Sequence, residues 1–318
     1  MRKNVRVITD ELEKKHFISK FSINISLEDI DRLMDGCYAR NSLLAMRKDW
    51  NLFSQFCRLK GVCPLPAATT AVRLFLEKES KQRKFSTIKR YTVTIGLVHK
   101  TLGLKDPTSN VAVRNILAAL RIEKRSDSVS TTAFSKQHLI ELTHRLLPSK
   151  SKRDVRNLAI YHLMFECMLK RSELRDLNFE ALDFSNDRYS VWIGSNEYIL
   201  TKECSNMLSR WIEARGTLTG PLFNAIDRFG NLGSLPLDDS SIYRILRDAS
   251  DKLNLDVKFS GQSLRVGAAN ELASKGVKVK DIQHLGRWKS AAMPYQYVGN
   301  KAQAALERMI YKSFKPWD

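Results

Sequence analysis

Apolar residues that return every three or four positions run through most of this chain, and that period admits helices over most of its length while leaving little room for sheet. In "SLEDIDRLMDGCYARNSLLAMRKDWNLFSQFCRLKG", Leu44, Trp50, Phe53, Phe56 and Leu59 form one apolar stripe. Ser26 reads as the N-cap of that stretch, with Asp29 at the capping-box position. The Pro-rich "CPLPAAT" breaks the pattern. "TAVRLFLEKES", "FSTIKRYTVTIGLVHKTLGL" with Ser86 as its cap, and "SNVAVRNILAALRIEKR" then add further helices. The expected product is a bundle of four or five helices over residues 26–125, preceded by an N-terminal tail at 1–25.

The polar run "EKRSDSVSTTAFS" is short of large apolar groups and reads as a linker, placed at 126–134. Residues 135–318 form a second, larger domain. Its helical pattern is interrupted by "FSNDRYSVWIGSNEYILT", which alternates and carries a Gly-Ser-Asn turn signal, so a small hairpin is expected there. Helical patterns resume in "SNMLSRWIEA", "DDSSIYRILRDASDKL", "LRVGAANELASKG", "KVKDIQHLGRW" and "KAQAALERMIYKSF". The expected fold class is mainly α: an N-terminal helical bundle plus a larger, mostly helical domain with a small β-hairpin or sheet. A length of 318 residues suits two domains.

Lys and Arg number 53 against 34 Asp and Glu, a formal net charge of +19. That excess calls for a polyanionic partner. Double-stranded DNA is preferred over an anionic membrane surface, because no apolar run approaches the ~20 residues a spanning helix needs. The N-terminal "MRKNVRVITDELEKKHF" is basic but lacks a continuous apolar core, so no secretion signal is expected. Cys37, Cys57, Cys63, Cys167 and Cys204 are odd in number, scattered and without paired zinc spacing. They read as small hydrophobes in a reducing, cytoplasmic compartment, and neither a metal nor a cofactor is expected.

In "SGQSLRVGAA", Gln262 and Arg265 stand three residues apart where a loop enters a helix, so both share one helical face. Backbone N–H groups at a helix start favour anions, and a negative group is expected to dock there. Arg47, Lys48, Lys89 and Arg90 lie on helices of the first bundle, and Arg244 and Arg247 on "SSIYRILRDAS". As groups they fit basic faces that grip a duplex through its phosphates.

Four stretches then occur in order: "LKRSELRDLNFEALDF", "SGQSLRVGAA", "HLGRW" and "PYQYVGN". Together they resemble the tyrosine recombinase (phage integrase) family, most closely its Cre-like branch, and the likeness extends over nearly the whole chain. The family's first box, R-x-x-E-L, is met around Arg171, which Glu173 and Leu174 follow. Its second, H-x-x-R, is met by Gln262 to Arg265, and the tryptophan after "L-G" by Trp288. The nucleophilic tyrosine nine residues on selects Tyr297, with Tyr295 as the alternative.

The resemblance implies a site-specific DNA recombinase. Two guanidinium groups, Arg171 and Arg265, would hold the non-bridging oxygens of one phosphodiester. Tyr297 would attack it to form a 3′-phosphotyrosyl link and free a 5′-hydroxyl. Function would need a dimer on each inverted-repeat site and a tetramer in the synapse, in a bacterial or phage-encoded protein associated with the nucleoid. Two departures stand out. Gln262 replaces the usual His and cannot shuttle a proton. The family's hairpin lysine, a general acid, falls at Asn196 or Glu197 here. Lys202 and Lys258 are the substitutes, with Lys202 taken into the site. These departures keep two other readings open: a DNA-binding accessory or regulator with an impaired site, and a nicking-closing enzyme like the type IB topoisomerases.

Overall fold

The computed structural model describes residues 5–127, 131–184 and 188–313. The chain divides into two units, residues 1–129 and 130–318, each with its own apolar core.

The first unit holds α1 (Glu11–Phe21), α2 (Leu27–Leu33), α3 (Arg40–Leu59), α4 (Thr69–Ser80), α5 (Phe85–Thr101) and α6 (Val111–Glu123). The segment expected to be a tail instead carries α1. Asp10 caps it by accepting from the Glu13 N–H at 2.7 Å. Phe17 and Phe21 bury themselves in the core, and Trp50 Nε1 donates to the Phe21 carbonyl at 2.9 Å. Two aromatics scattered among charges were too few to reveal a helical stripe. The Ser26–Asp29 capping box forms, with bonds of 2.8 and 3.2 Å. The run read from Ser26 onwards breaks at Asp35 and Gly36, both left-handed (φ 52° and 61°), which separates α2 from α3. The buried face of α3 is Leu43, Met46, Trp50, Phe53 and Phe56; Leu59, at the helix end, is exposed. Ser86 lies inside the first turn of α5, whose N-cap is Lys84.

Residues 128–130 of the expected linker lie outside the described residues. Phe134, placed at the linker's end, is fully buried in the second unit, and its N–H donates to the Ser263 carbonyl at 2.9 Å. The second unit continues with α7 (Lys136–Leu146), α8 (Lys152–Glu166) and α9 (Arg171–Arg175). The expected hairpin is part of a three-stranded antiparallel sheet, β1 (Leu182–Asp183), β2 (Ser190–Ile193) and β3 (Asn196–Ile199), with Ile193 opposite Asn196 across the turn. After α10 (Lys202–Arg215) comes a second antiparallel pair, β4 (Asn224–Ile226) and β5 (Leu232–Pro236). That pair lacks alternation and depends on Asp227 Oδ1, which accepts from the Phe229 and Asn231 N–H groups to close the turn. The unit ends with α11 (Asp239–Lys252), α12 (Gly261–Ser274), α13 (Val279–Leu285), α14 (Ala292–Tyr297) and α15 (Lys301–Ser313).

Helix α8 is buried on every side from Val155 to Phe165, and the rest of the unit packs around it. Helix α12 packs against it and runs close to the backbone of Phe134. A Cβ on Gly267 would stand 1.6 Å from the Phe134 carbonyl oxygen, so no other residue fits without moving backbone. Among the described residues no helix is long and apolar enough to cross a membrane.

Candidate active site

Arg265 sits on the second turn of α12 and is almost wholly buried, at 3% exposure. Its Nη2 donates to the Gly286 carbonyl at 2.7 Å and its Nη1 to the Met168 carbonyl. A guanidinium has five N–H groups, so three remain. Burial lowers its pKa to about 10, with Arg287 adding to the effect, and the group stays charged at neutral pH.

The Arg265 guanidinium lies 4.3 Å from the Trp288 ring centre, and Trp288 meets Tyr297 edge-on at 5.8 Å. The Trp288 ring covers Gly286, where a Cβ would come within 1.9 Å of it. Glycine there is what lets the indole reach Arg265. Tyr297 ends α14, and its hydroxyl is buried without a hydrogen-bond partner among the described residues. A buried polar atom left unpaired in a folded protein calls for an explanation. Burial raises the pKa of the phenol, and the charge of Arg265 opposes that rise. Arg265, Trp288 and Tyr297 therefore form one contiguous cluster.

Arg171 opens α9 and is exposed. Its stem lies against Gly261, the first residue of α12, where a Cβ would be 2.9 Å from Arg171 Cγ. One turn of α12 separates Gly261 from Arg265, a rise of about 6 Å. Arg171 Nη1 donates to the Asp239 carbonyl at 3.2 Å, and its guanidinium lies 5.8 Å from the Tyr243 ring. The box spacing, however, points one residue earlier. The position three before Glu173 is Lys170, whose Nζ donates to Glu173 at 2.7 Å. Gln262 is half-buried and makes no side-chain hydrogen bond among the described residues.

Sequence reasoning missed Arg287. Its backbone is left-handed (φ 54°), a conformation that costs an L-residue roughly 1 kcal/mol. All five of its N–H groups are used. Nε and Nη2 grip Glu173 at 3.1 and 2.8 Å; Nη2 also reaches the Cys167 and Met168 carbonyls at 3.1 and 3.0 Å; Nη1 donates to the Leu285 carbonyl at 3.0 Å and to the Tyr198 hydroxyl. No local pattern announces this role, because every partner except Leu285 is distant in sequence. Burial would raise the Glu173 carboxyl, but hydrogen bonds from Arg287 and Lys170 outweigh it and hold the group at about 2.

Lys202 begins α10, is exposed, and shares no hydrogen bond or ion pair with Arg265, Trp288 or Tyr297 among the described residues. Lys258 pairs with Asp251. The hairpin turn holds no lysine, and Glu197 accepts from Ser190 Oγ at 2.6 Å. In the first unit, Arg47, Lys48 and Arg90 line one cavity of about 690 Å³, and Lys89 is exposed beside them on α5. Arg90 is held by the buried Asp49, to which its Nε and Nη2 each donate at 2.8 Å. On α11, Arg244 donates to Ser241 Oγ at 2.9 Å, while Arg247 stacks on Tyr243 at 5.2 Å.

The arrangement brings the buried Tyr297 hydroxyl and the buried Arg265 guanidinium into one cluster through the Trp288 ring. Similarity to known proteins agrees. Over 303 residues the chain is 27% identical to an integrase/recombinase XerD homolog of Selenomonas ruminantium, covering 88% of this chain and 89% of that one. It is 22% identical over 286 residues to the Cre recombinase of Escherichia phage P1, covering 81% and 82%. Its fold matches the XerH site-specific recombinase bound to a palindromic difH substrate with a TM-score of 0.66 at 14% identity, covering 98% and 92% of the two chains. The Tn1549 transposon integrase in complex with transposon right-end DNA matches at 0.65 and 16%, covering 92% and 99%. The profile of the phage integrase family matches residues 132–304, more than half of the sequence, and the chain belongs to that family.

Proposed function

We propose that this tyrosine recombinase cuts and rejoins DNA at Tyr297. The phenol gives up its proton to solvent as its oxygen attacks a backbone phosphorus, a P–Oη bond forms, the bond to the 5′-oxygen breaks, and the leaving oxygen takes up a proton. The 3′-phosphotyrosyl bond conserves the energy of the phosphodiester, so a 5′-hydroxyl from another strand can reverse the step. Arg265 holds a non-bridging oxygen with the N–H groups it does not spend on Met168 and Gly286. Arg171 and Lys170 supply further positive charge from the start of α9, Trp288 packs against the reacting phosphate, and Gln262 donates one hydrogen bond to it. Lys202 is the proposed proton donor to the 5′-oxygen.

The partner is double-stranded DNA carrying inverted repeats. Arg47, Lys48, Lys89 and Arg90 hold it from the first unit, and Arg244 and Arg247 from the second. The linker is assigned to 126–134, and strand exchange takes place in a tetramer on the nucleoid. Leu306, Met309 and Ile310 are exposed on α15, an apolar face suited to a second protomer.

The observation that carries this reading is the buried, unpaired Tyr297 hydroxyl in one cluster with Trp288 and Arg265. A duplex nicked beside the cleavage point tests it. A covalent protein–DNA adduct should accumulate and disappear in Tyr297→Phe. Binding without adduct would favour the accessory reading; relaxation of supercoils without exchange between two sites would favour the nicking-closing one. Lys202→Ala should slow cleavage of the ordinary ester and be restored on a substrate whose leaving atom is sulfur, which needs no proton.

A further inference from the structure

Arg156 lies on α8, 5% exposed, in the interior of the second unit. Its Nε and Nη2 donate to Asn157 Oδ1 at 3.2 and 2.9 Å, and its Nη1 to the Asn224 carbonyl at 3.0 Å. Those three bonds leave two of its five N–H groups. Among the described residues no carboxylate stands within ion-pair distance of it. A buried guanidinium with only neutral partners is costly, since desolvation of a charge is ordinarily offset by an opposite one. Burial, and after it the charge of Arg153, lowers its pKa to about 10.

Arg156 borders a cavity of about 350 Å³ between α8, β4 and α11, which Arg153, Asn157, Ser241, Arg244 and Asp248 also line. Neither Arg153 nor Arg244 makes an ion pair among the described residues. Arg153 donates to the Asp227 carbonyl and Arg244 to Ser241 Oγ. The one acid in the wall, Asp248, has Lys252 Nζ at 3.7 Å. Three guanidinium groups against one carboxylate leave the wall doubly positive. The cavity is distinct from the Tyr297 cluster: Arg156 lies ten residues, about 15 Å along α8, before the helix end at Glu166, and the Met168 carbonyl that Arg265 holds lies beyond that end.

We propose that this cavity is a second oxyanion site, which takes a phosphate group through Arg153, Arg156 and Arg244. The fork geometry of guanidinium suits phosphate oxygens, and Ser241 Oγ, which donates to Asp238 at 2.9 Å, holds Arg244 by accepting from its Nη2. The phosphate comes either from solution, as inorganic phosphate, or from the backbone of a bound duplex, and the two sources are separable. The first does not depend on the strand-exchange reading.

The experiment uses the full chain. Inorganic phosphate is titrated against chloride at constant ionic strength while the thermal midpoint is followed; a ligand of the folded state raises it saturably. In parallel, a duplex is prepared with single neutral methylphosphonates at successive positions. The variants are the surface double Arg153→Ala/Arg244→Ala, the buried Arg156→Lys, and Arg171→Ala as the control for the other cluster. If the phosphate is free, the wild type shows a saturable rise, Arg171→Ala keeps it, and the double variant weakens it about tenfold or more. If it belongs to DNA, one methylphosphonate weakens wild-type binding about tenfold and leaves the double variant no weaker than it already is. Should the double variant respond to phosphate as the wild type does, and no methylphosphonate position separate the two, the site does not exist.

Discussion

Arg265 and Arg287 donate to the same carbonyl, that of Met168, yet their remaining N–H groups have different fates. Arg287 spends every one on protein, while Arg265 keeps three. Arg287 is therefore a positioning residue: it ties Glu173, Tyr198 and the end of α8 to the turn that presents Trp288. Its bond to Glu173 makes stability depend on pH. A carboxyl held at about 2 in the folded state, against the ordinary 4.5, contributes stability that is present above about pH 4.5 and lost as pH falls towards 2. The contribution is roughly 3 kcal/mol. We expect Arg287→Leu to leave that carboxylate with Lys170 as its remaining charged partner, lowering stability at pH 7 by about 3 kcal/mol and reducing the acid dependence in this window. Urea midpoints measured from pH 7 to pH 2 check both statements; an unchanged slope between pH 4.5 and pH 2 would refute them. Beside Glu173, Lys170 occupies the box position where the family has arginine, and an ammonium is a point charge rather than a fork. Lys170→Ala should lower single-turnover cleavage of a nicked duplex by about tenfold or more, and Lys170→Arg should match or exceed the wild-type rate.

At the scale of elements, α12 is the piece on which the site depends. Its start touches Arg171, its second turn carries Arg265, and its middle lies against the backbone of Phe134. That last contact has no slack. Gly267→Val should destabilise the second unit by at least about 3 kcal/mol, because the added carbons meet a carbonyl rather than a flexible side chain. The check is a thermal melt, with a fall of roughly 6–12 °C expected for a unit of this size. Gly286 plays the corresponding part after α13, since its missing side chain is where the Trp288 ring lies. The two antiparallel sheets are peripheral by comparison, although Tyr198 on β3 reaches the site and donates to the Leu285 carbonyl at 2.7 Å.

At the scale of the whole molecule, a net charge of +19 sets how the protein meets a polyanion. Binding that displaces counterions from six to ten phosphates weakens by about 10³–10⁵ between 50 and 200 mM salt. We expect a dissociation constant for duplex DNA, followed by fluorescence anisotropy, to rise by at least about 10³ over that range. A rise of less than tenfold would show that the basic faces do not carry the binding. Arg90 marks a limit on such counting, since Asp49 beneath it already neutralises its charge and leaves mainly Nη1 for an outside partner.

Local order was legible in the residues alone. The helical period, the Ser26–Asp29 box and the β2–β3 hairpin each depend on neighbours a few positions apart, so a short window contains the whole cause. The ordered boxes around Glu173, Arg265, Trp288 and Tyr297 named the chemistry for the same reason, since each is a short motif. Helix α1 and the β4–β5 pair escaped notice because their apolar residues are too sparse to show a period and take their meaning from burial against distant partners. Which cations brace the protein and which keep N–H groups unspent was beyond any local pattern. Arg287 lies 114 positions from Glu173, and only the folded chain decides that its charge is spent inward while that of Arg265 is kept.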